Sequence, residues 1–165
     1  MAQTVHLKLT IDGSDIEGES SISSMEREGT IECSSFRYGI KVPREAGTGM
    51  SSGRRQHQPV IVHKRIDKTT PLLIKAICNN EPVDEAKFMF FRPHRGGDGS
   101  EQQFYTVILT GGAVIGVSQV SEDAIMSGEH ALPMMEEITF NFHTIEWVYE
   151  AGGIIHSDSW AASRE

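Results

Sequence analysis

The sequence predicts a mainly β fold: a closed antiparallel β-barrel with one short flanking α-helix and long loops. In several segments apolar and polar residues alternate, most clearly over residues 4–11, where every position follows a period of two. After Thr69-Thr70-Pro71 the apolar spacing becomes helical for about nine residues. Six or seven strands with a single helix are typical of a barrel that carries the helix on its side.

Length and composition are those of one domain with a short tail. A chain of 165 residues can bury a core without disulfides, and we predict a barrel domain at 1–150 and a C-terminal tail at 151–165. The net charge of −8 argues against a nucleic-acid partner, which needs a basic surface. The apolar runs are far shorter than the roughly 20 residues of a membrane span, so we expect no membrane insertion. The N-terminus lacks the features of a secretory signal.

Seven segments are predicted as strands because they are rich in β-branched and aromatic residues and are separated by turn residues. They cover residues 4–11, 30–42, 59–66, 85–92, 103–110, 113–120 and 137–150. Gly111-Gly112 is expected to form a tight hairpin between two of them. In the last strand the apolar residues move from even to odd positions, and one extra residue near His143–Thr144 would keep them on one face, which predicts a β-bulge.

The helix is expected to begin at Thr70, whose hydroxyl would cap it, with Pro71 at the first helical position. Asn79-Asn80 would end it. Residues 43–58 have no periodic pattern and are predicted to form a long loop. Loops of this length inside a small domain are usually functional or disordered.

The sequence offers little sign of catalysis. The seven histidines include no pair at helical or strand spacing for a metal, and no nucleophile elbow or phosphate-binding lysine loop is present. Cys78, in the C-terminal half of the predicted helix, is expected to be a small buried residue, and Cys33 lies within a predicted strand with no sequence feature that would activate its thiol. We therefore predict no catalytic residues, no metal and no cofactor. A metal-dependent β-barrel enzyme or a ligand-binding module stays open as the alternative.

Several segments resemble the Hcp family, the haemolysin-coregulated tube proteins of bacterial type VI secretion. The most specific is Ile66-Asp-Lys-Thr-Thr-Pro-Leu-Leu, within a longer similar stretch at 57–78. The other segments follow in the family's order: 16–20, 88–92, 138–147 and 153–160. The resemblance covers nearly the whole chain.

This resemblance implies a compact β-barrel with a helix at its side, in agreement with the residue pattern. It implies homo-hexameric rings that stack into a hollow tube inside contractile sheath proteins, with a trimeric spike protein at the tip. Contraction would expel the tube, which can also carry or chaperone small effector proteins in its lumen. The protein would be in the bacterial cytoplasm before firing and would be secreted without a signal peptide.

Two sets of residues are candidates for these roles. Strict alternation along 30–42 would put Ser35 and Arg37 on one face with Ile31 and Cys33, away from the aromatic side chains. Ser35 and Arg37 are therefore candidates for facing the lumen and its effectors, although Arg37 could be an ordinary exposed residue.

The loop 43–58 is the candidate for contact with a stacked ring. Arg44, Arg54 and Arg55 give it positive charge on an acidic protein, which suits attachment to an acidic patch. The alternative is a loop that is disordered in an isolated ring.

Overall fold

The computed structural model describes residues 3–121, 125 and 133–160. Most of them lie in short and long strands around one apolar core, with a nine-residue α-helix, α1 (Thr70–Cys78), after the sixth strand. The strands in chain order are β1 (Thr4–Ile11), β2 (Ser14–Ile16), β3 (Ile31–Arg37), β4 (Ile40–Lys41), β5 (Gln56–His57), β6 (Val60–Arg65), β7 (Pro82–Pro93), β8 (Glu101–Val120), β9 (Met135–Asn141), β10 (Thr144–Tyr149) and β11 (Ile154–Ser159).

Six strands form a closed antiparallel ring. The pairing order is β8–β7–β1–β3–β6–β9, and β9 pairs again with β8. Strands β10 and β11 extend the sheet from the first half of β8, and β4 pairs with β5 outside the ring. The predicted mainly β fold with a flanking helix is therefore confirmed. In this ring β3 stands three strands away from β8 in either direction, so the two lie on opposite sides.

The prediction of a hairpin at Gly111-Gly112 was wrong, because these residues bend one continuous strand, β8. Before the bend β8 pairs with β10, and after it with β9. Gly111 has a φ of +66°, a conformation that favours glycine. A Cβ on Gly112 would lie 2.0 Å from the carbonyl oxygen of Asn141. The two glycines thus let one strand serve two partners, where sequence alone suggested a turn.

The predicted strand 137–150 is two strands that meet at a corner. The change of buried face falls near His143, as expected. Residues 142–143 belong to neither strand, although the His143 N–H still donates to the Thr110 carbonyl of β8 at 3.1 Å, so the two parts are separate strands and not one strand with a bulge. Phe142 and Ile145 are both buried at this corner. The predicted strand 30–42 is likewise divided into β3 and β4.

The helix α1 flanks the barrel beside β8, which it contacts, and buries Leu73 and Ala76 in the core. The N-cap residue of α1 is Thr69, and its side chain makes no capping hydrogen bond. Thr70 is the first residue of the helix, so the prediction that its hydroxyl caps the helix was wrong. The Thr70 hydroxyl donates to the Glu136 carboxylate at 2.7 Å instead. This bond ties the first turn of α1 to β9.

A buried ion cluster lies beside this helix start. The ammonium of Lys64, which is 1% exposed, lies 2.5 Å from Glu136 and 2.8 Å from Asp67. Burial alone would raise the pKa of Asp67, but hydrogen bonds from Lys64 and Thr69 hold it below its ordinary value. Each buried charge is thus paired, as a low-dielectric interior requires.

The two cysteines differ in environment. Cys33 is buried, and loss of hydration raises the pKa of its thiol to about 12. Cys78 is exposed at the end of α1, so the expectation that it is buried was wrong. No helix in the described part of the chain is both long and apolar enough to cross a membrane.

The first prediction concerns the bend in β8. Replacing Gly112 by Ala should destabilise the fold by about 1–3 kcal/mol, because the new methyl group meets backbone atoms that cannot move aside. Urea unfolding measures the change. Gly47→Ala is the matched control, since a Cβ there meets nothing within 4 Å, and it should alter stability by less than about 0.5 kcal/mol. Equal effects of the two substitutions would contradict the assigned role.

Candidate functional site

The loop predicted at 43–58 belongs to an ordered excursion, which we call the arginine hairpin (residues 38–58). It leaves the end of β3 and returns to the start of β6. Strands β4 and β5 pair within it, and a bridge joins Arg44 to Ser51 farther out. The Arg44 guanidinium donates to the Gly49 carbonyl at 3.0 Å, so the tip holds itself together.

The base of this hairpin is held by four side chains, which we call the anchor: Tyr38, Arg55, His57 and Asp158. The Tyr38 hydroxyl lies 2.6 Å from Nδ1 of His57, and Nε2 of His57 lies 2.8 Å from the Asp158 carboxylate. Arg55 donates two hydrogen bonds to the same carboxylate, at 2.5 and 2.6 Å. The anchor therefore joins the hairpin to β11, about a hundred residues later in the chain.

Protonation in the anchor follows from its surroundings. Hydrogen bonds from Arg55 and His57 keep the pKa of Asp158 well below its ordinary range although desolvation opposes them. Burial, with the charge of Asp158, raises the pKa of Tyr38 to about 12. Tyr38 therefore stays protonated. Because an ionised carboxylate only accepts hydrogen bonds, Nε2 of His57 donates to Asp158.

Aromatic rings pack around the anchor. His57 stacks on Trp147 with centroids 6.4 Å apart and contacts the edge of Phe142 at 5.6 Å. Trp160 lies 5.6 Å from the other side of the His57 ring. Phe142 belongs to the core, and Tyr38 and Trp147 pack against it, so the hairpin base is continuous with the hydrophobic core.

The outer face of the β3–β6–β9 wall carries a row of polar side chains. Ser35 Oγ lies 2.6 Å from Nδ1 of His63, and Nε2 of His63 lies 2.9 Å from Glu137. The three residues occupy matching positions on adjacent strands. Their order is that of a serine hydrolase triad. However, the side chains of His63 and Glu137 are 46% and 43% exposed, without the burial that makes such bonds strong.

The candidate wall residues Ser35 and Arg37 are both exposed on this face. Their predicted companions Ile31 and Cys33 are buried in the core, so the expectation that all four share one face was wrong. The register shifts between Cys33 and Ser35, and this irregularity turns the strand over halfway along.

Among the candidate stacking residues, Arg44 and Arg54 are exposed on the hairpin, while Arg55 lies in the anchor. Sequence reasoning missed His57 and Asp158. Both lie within segments that carry the family resemblance, but nothing local relates two residues so far apart in the chain. Across the described residues, no group of three or more His, Cys, Asp or Glu side chains could hold a metal ion.

Comparison with known proteins agrees with this architecture. The family model described as "Type VI secretion system effector, Hcp" matches residues 8–149. The major exported protein of Pseudomonas aeruginosa PAO1 is 25% identical over 145 residues, which cover 86% of this chain and 83% of that protein.

Solved structures give the same result. A double mutant of Hcp1 from the E. coli EAEC 042 pathovar superposes with a TM-score of 0.82 at 30% identity, over 96% of this chain and 99% of that one. Secreted Hcp3 of Pseudomonas aeruginosa gives 0.76 at 20% identity, over 98% and 100%. The fold is thus that of a type VI secretion protein. The chain belongs to the Hcp family.

The second prediction concerns the anchor. Asp158→Asn keeps the shape of the side chain but removes its charge, so the two hydrogen bonds that Arg55 donates to this residue lose their ionic character and weaken. We expect the hairpin to detach and trypsin to cleave after Arg54 several times faster than in the native protein. Mass spectrometry of timed digests measures the rate.

The control for this experiment is Glu45→Gln, which removes the charge of an exposed side chain at the hairpin tip that accepts from the Thr48 hydroxyl. It should leave cleavage after Arg54 unchanged. Unchanged cleavage in Asp158→Asn would mean that the anchor does not hold the hairpin.

Proposed function

We propose that this protein is a structural subunit of the type VI secretion tube, in which hexameric rings stack into a hollow tube. In this proposal a contractile sheath expels the tube with a trimeric spike at its tip, and the lumen carries small effectors. The observation that carries the proposal is the family match over 8–149. The exported Pseudomonas relative supports movement from the cytoplasm to the exterior.

A closed ring needs two different complementary patches on each subunit. One candidate is β11, the outermost strand of the sheet path, where Ile154 and Ile155 are 69% and 59% exposed. Trp160, just beyond it, is 50% exposed. An exposed apolar edge strand is a surface that another chain can pair with or cover. We assign it to the contact with a neighbouring subunit of the same ring.

We place the polar β3–β6 wall toward the lumen. This face carries Ser35 and Arg37, which could contact an effector through hydrogen bonds and charge. This wall lies across the barrel from β8 and the helix α1 that contacts it, so β8 and α1 face outward when the wall faces the lumen. A polar lumen keeps a small folded cargo solvated and releasable.

We assign the arginine hairpin to contacts between stacked rings. Residues 38–58 hold four basic side chains and one acidic side chain, although the whole chain has a net charge of −8. Arg44 and Arg54 are exposed for such a contact, and Arg55 supports it by fixing the hairpin through Asp158. Rings with about −48 charges each would otherwise repel.

The third prediction is the assembly itself. Sedimentation of the purified protein should give a particle of six times 18.2 kDa, or about 109 kDa. Negative-stain electron microscopy should reveal rings with a central hole. A particle that stays monomeric at high concentration would refute the tube function and favour the enzyme or ligand-binding alternative, which metal analysis and activity screens would then address.

The fourth prediction locates the lumen within those rings. In a Cys78→Ser background, Arg37→Cys should carry a maleimide gold label at the inner edge of the ring. The native Cys78 on α1 is the matched control, and its label should lie at the outer edge, since Cys78 is exposed. Averaged micrographs give the two radii. A label on Arg37→Cys at the outer edge would show that another wall lines the hole.

A further inference from the structure

A groove of about 240 Å³ lies at the start of β3 and the end of β6. Three carboxylates and one guanidinium line it together with two hydroxyls: Glu19, Ser20, Glu32, Ser34, Arg65 and Asp67. Asp67 is already bonded to Lys64, and Glu19 accepts a hydrogen bond from the Lys68 backbone. Glu32 is exposed on β3, so it is the carboxylate that a partner can most readily reach.

The arginine hairpin and this groove lie at opposite ends of the same pair of strands. The hairpin extends from the end of β3 and returns to the start of β6, whereas the groove is at the start of β3 and the end of β6. Strand β3 has seven residues, so the two surfaces are separated by roughly 20 Å of sheet. A second copy shifted along the strands, without rotation, would bring its hairpin to the groove of the first.

The charges of the two surfaces are complementary. The hairpin has a net charge of +3, which leaves −11 for the rest of the chain. Arg44 and Arg54 are exposed on the hairpin and can form charge-assisted hydrogen bonds with carboxylates.

We propose that the groove at the start of β3 receives the arginine hairpin of a second copy in the next ring. This inference rests on the proposed function, since it names the surface that the stacking hairpin meets. Arg54 pairs with Glu32, and Arg44 adds positive charge to the same hairpin. Because each copy offers one hairpin and one groove at opposite ends, the contact is heterologous and does not close, so rings add head to tail.

The experiment reverses the charges one at a time and then together. Arg54→Glu rings and Glu32→Arg rings should each form normally but associate at least about tenfold more weakly than native rings, because like charges meet at every contact. The double variant Arg54→Glu/Glu32→Arg should stack again, and so should a mixture of the two single variants, in which each hairpin meets an opposite charge. Sedimentation over a concentration series measures stacking, and the mass of the single ring is read from the same data.

The control tests a second acidic groove, lined by Asp15, Glu17, Glu28 and Glu85 among others. Arg54→Glu/Glu85→Arg should not restore stacking. Restoration by Glu85→Arg, native-like stacking of either single variant, or no restoration by Glu32→Arg would each overturn the assignment.

Ring formation separates this inference from the proposed function. If native protein forms no rings, the tube function fails; if rings form but the charge swap does not restore stacking, only the groove assignment fails. Thermal melts monitor the folding of Glu32→Arg. If Glu32→Arg does not fold, Ser34→Arg replaces it, because this substitution also places a cation in the groove. The double variant is then Arg54→Glu/Ser34→Arg.

Discussion

Closure of the barrel depends on the bend in β8, because this one strand pairs with β7, β10 and β9. Without the bend, β8 would continue along β10 and could not reach β9. The ring would then stay an open sheet with exposed edges, which favours aggregation. Gly111 adopts the positive φ that the bend requires, and Gly112 allows the backbone of Asn141 to pass close beside it. Everything placed on the opposite wall, including the polar face of β3, depends on this closure.

Two segments that leave the barrel are held by different physical means. At the start of α1, Lys64 is buried with Glu136 and Asp67, and hydrogen bonds from the helix start satisfy the carboxylates. Such an ion cluster adds little net stability but penalises any alternative placement of the helix. At the base of the arginine hairpin, the stacking of His57 on Trp147 supplies the apolar contact, and the hydrogen bond between His57 and Asp158 supplies the polar one. Both arrangements fix the direction of a segment that leaves the barrel.

Regular elements could be predicted from the sequence because their signals are local. The alternation in β1 and the Pro71 helix start gave the right type of element at the right place. The predictions failed where the conformation of a residue depends on residues that are distant in the sequence. Gly111-Gly112 looks like a turn until Asn141 is known to pass beside it, and strict alternation along β3 fails at an irregularity set by β6. The anchor combines residues from both halves of the chain, so its geometry needs the fold.

The anchor also explains how a long, polar hairpin could take part in assembly. A free loop would lose conformational entropy on every contact, and six copies per ring would multiply that cost. Arg55, held by Asp158, removes much of this freedom before any partner arrives, so the exposed Arg54 starts from a defined position. The basic charge is then concentrated at one end of a subunit whose remaining surface is acidic. In the proposed stacking, two such subunits would repel each other in most orientations and attract when the hairpin of one faces the acidic groove of the other, so the same charge distribution would oppose random association and favour a single direction of growth.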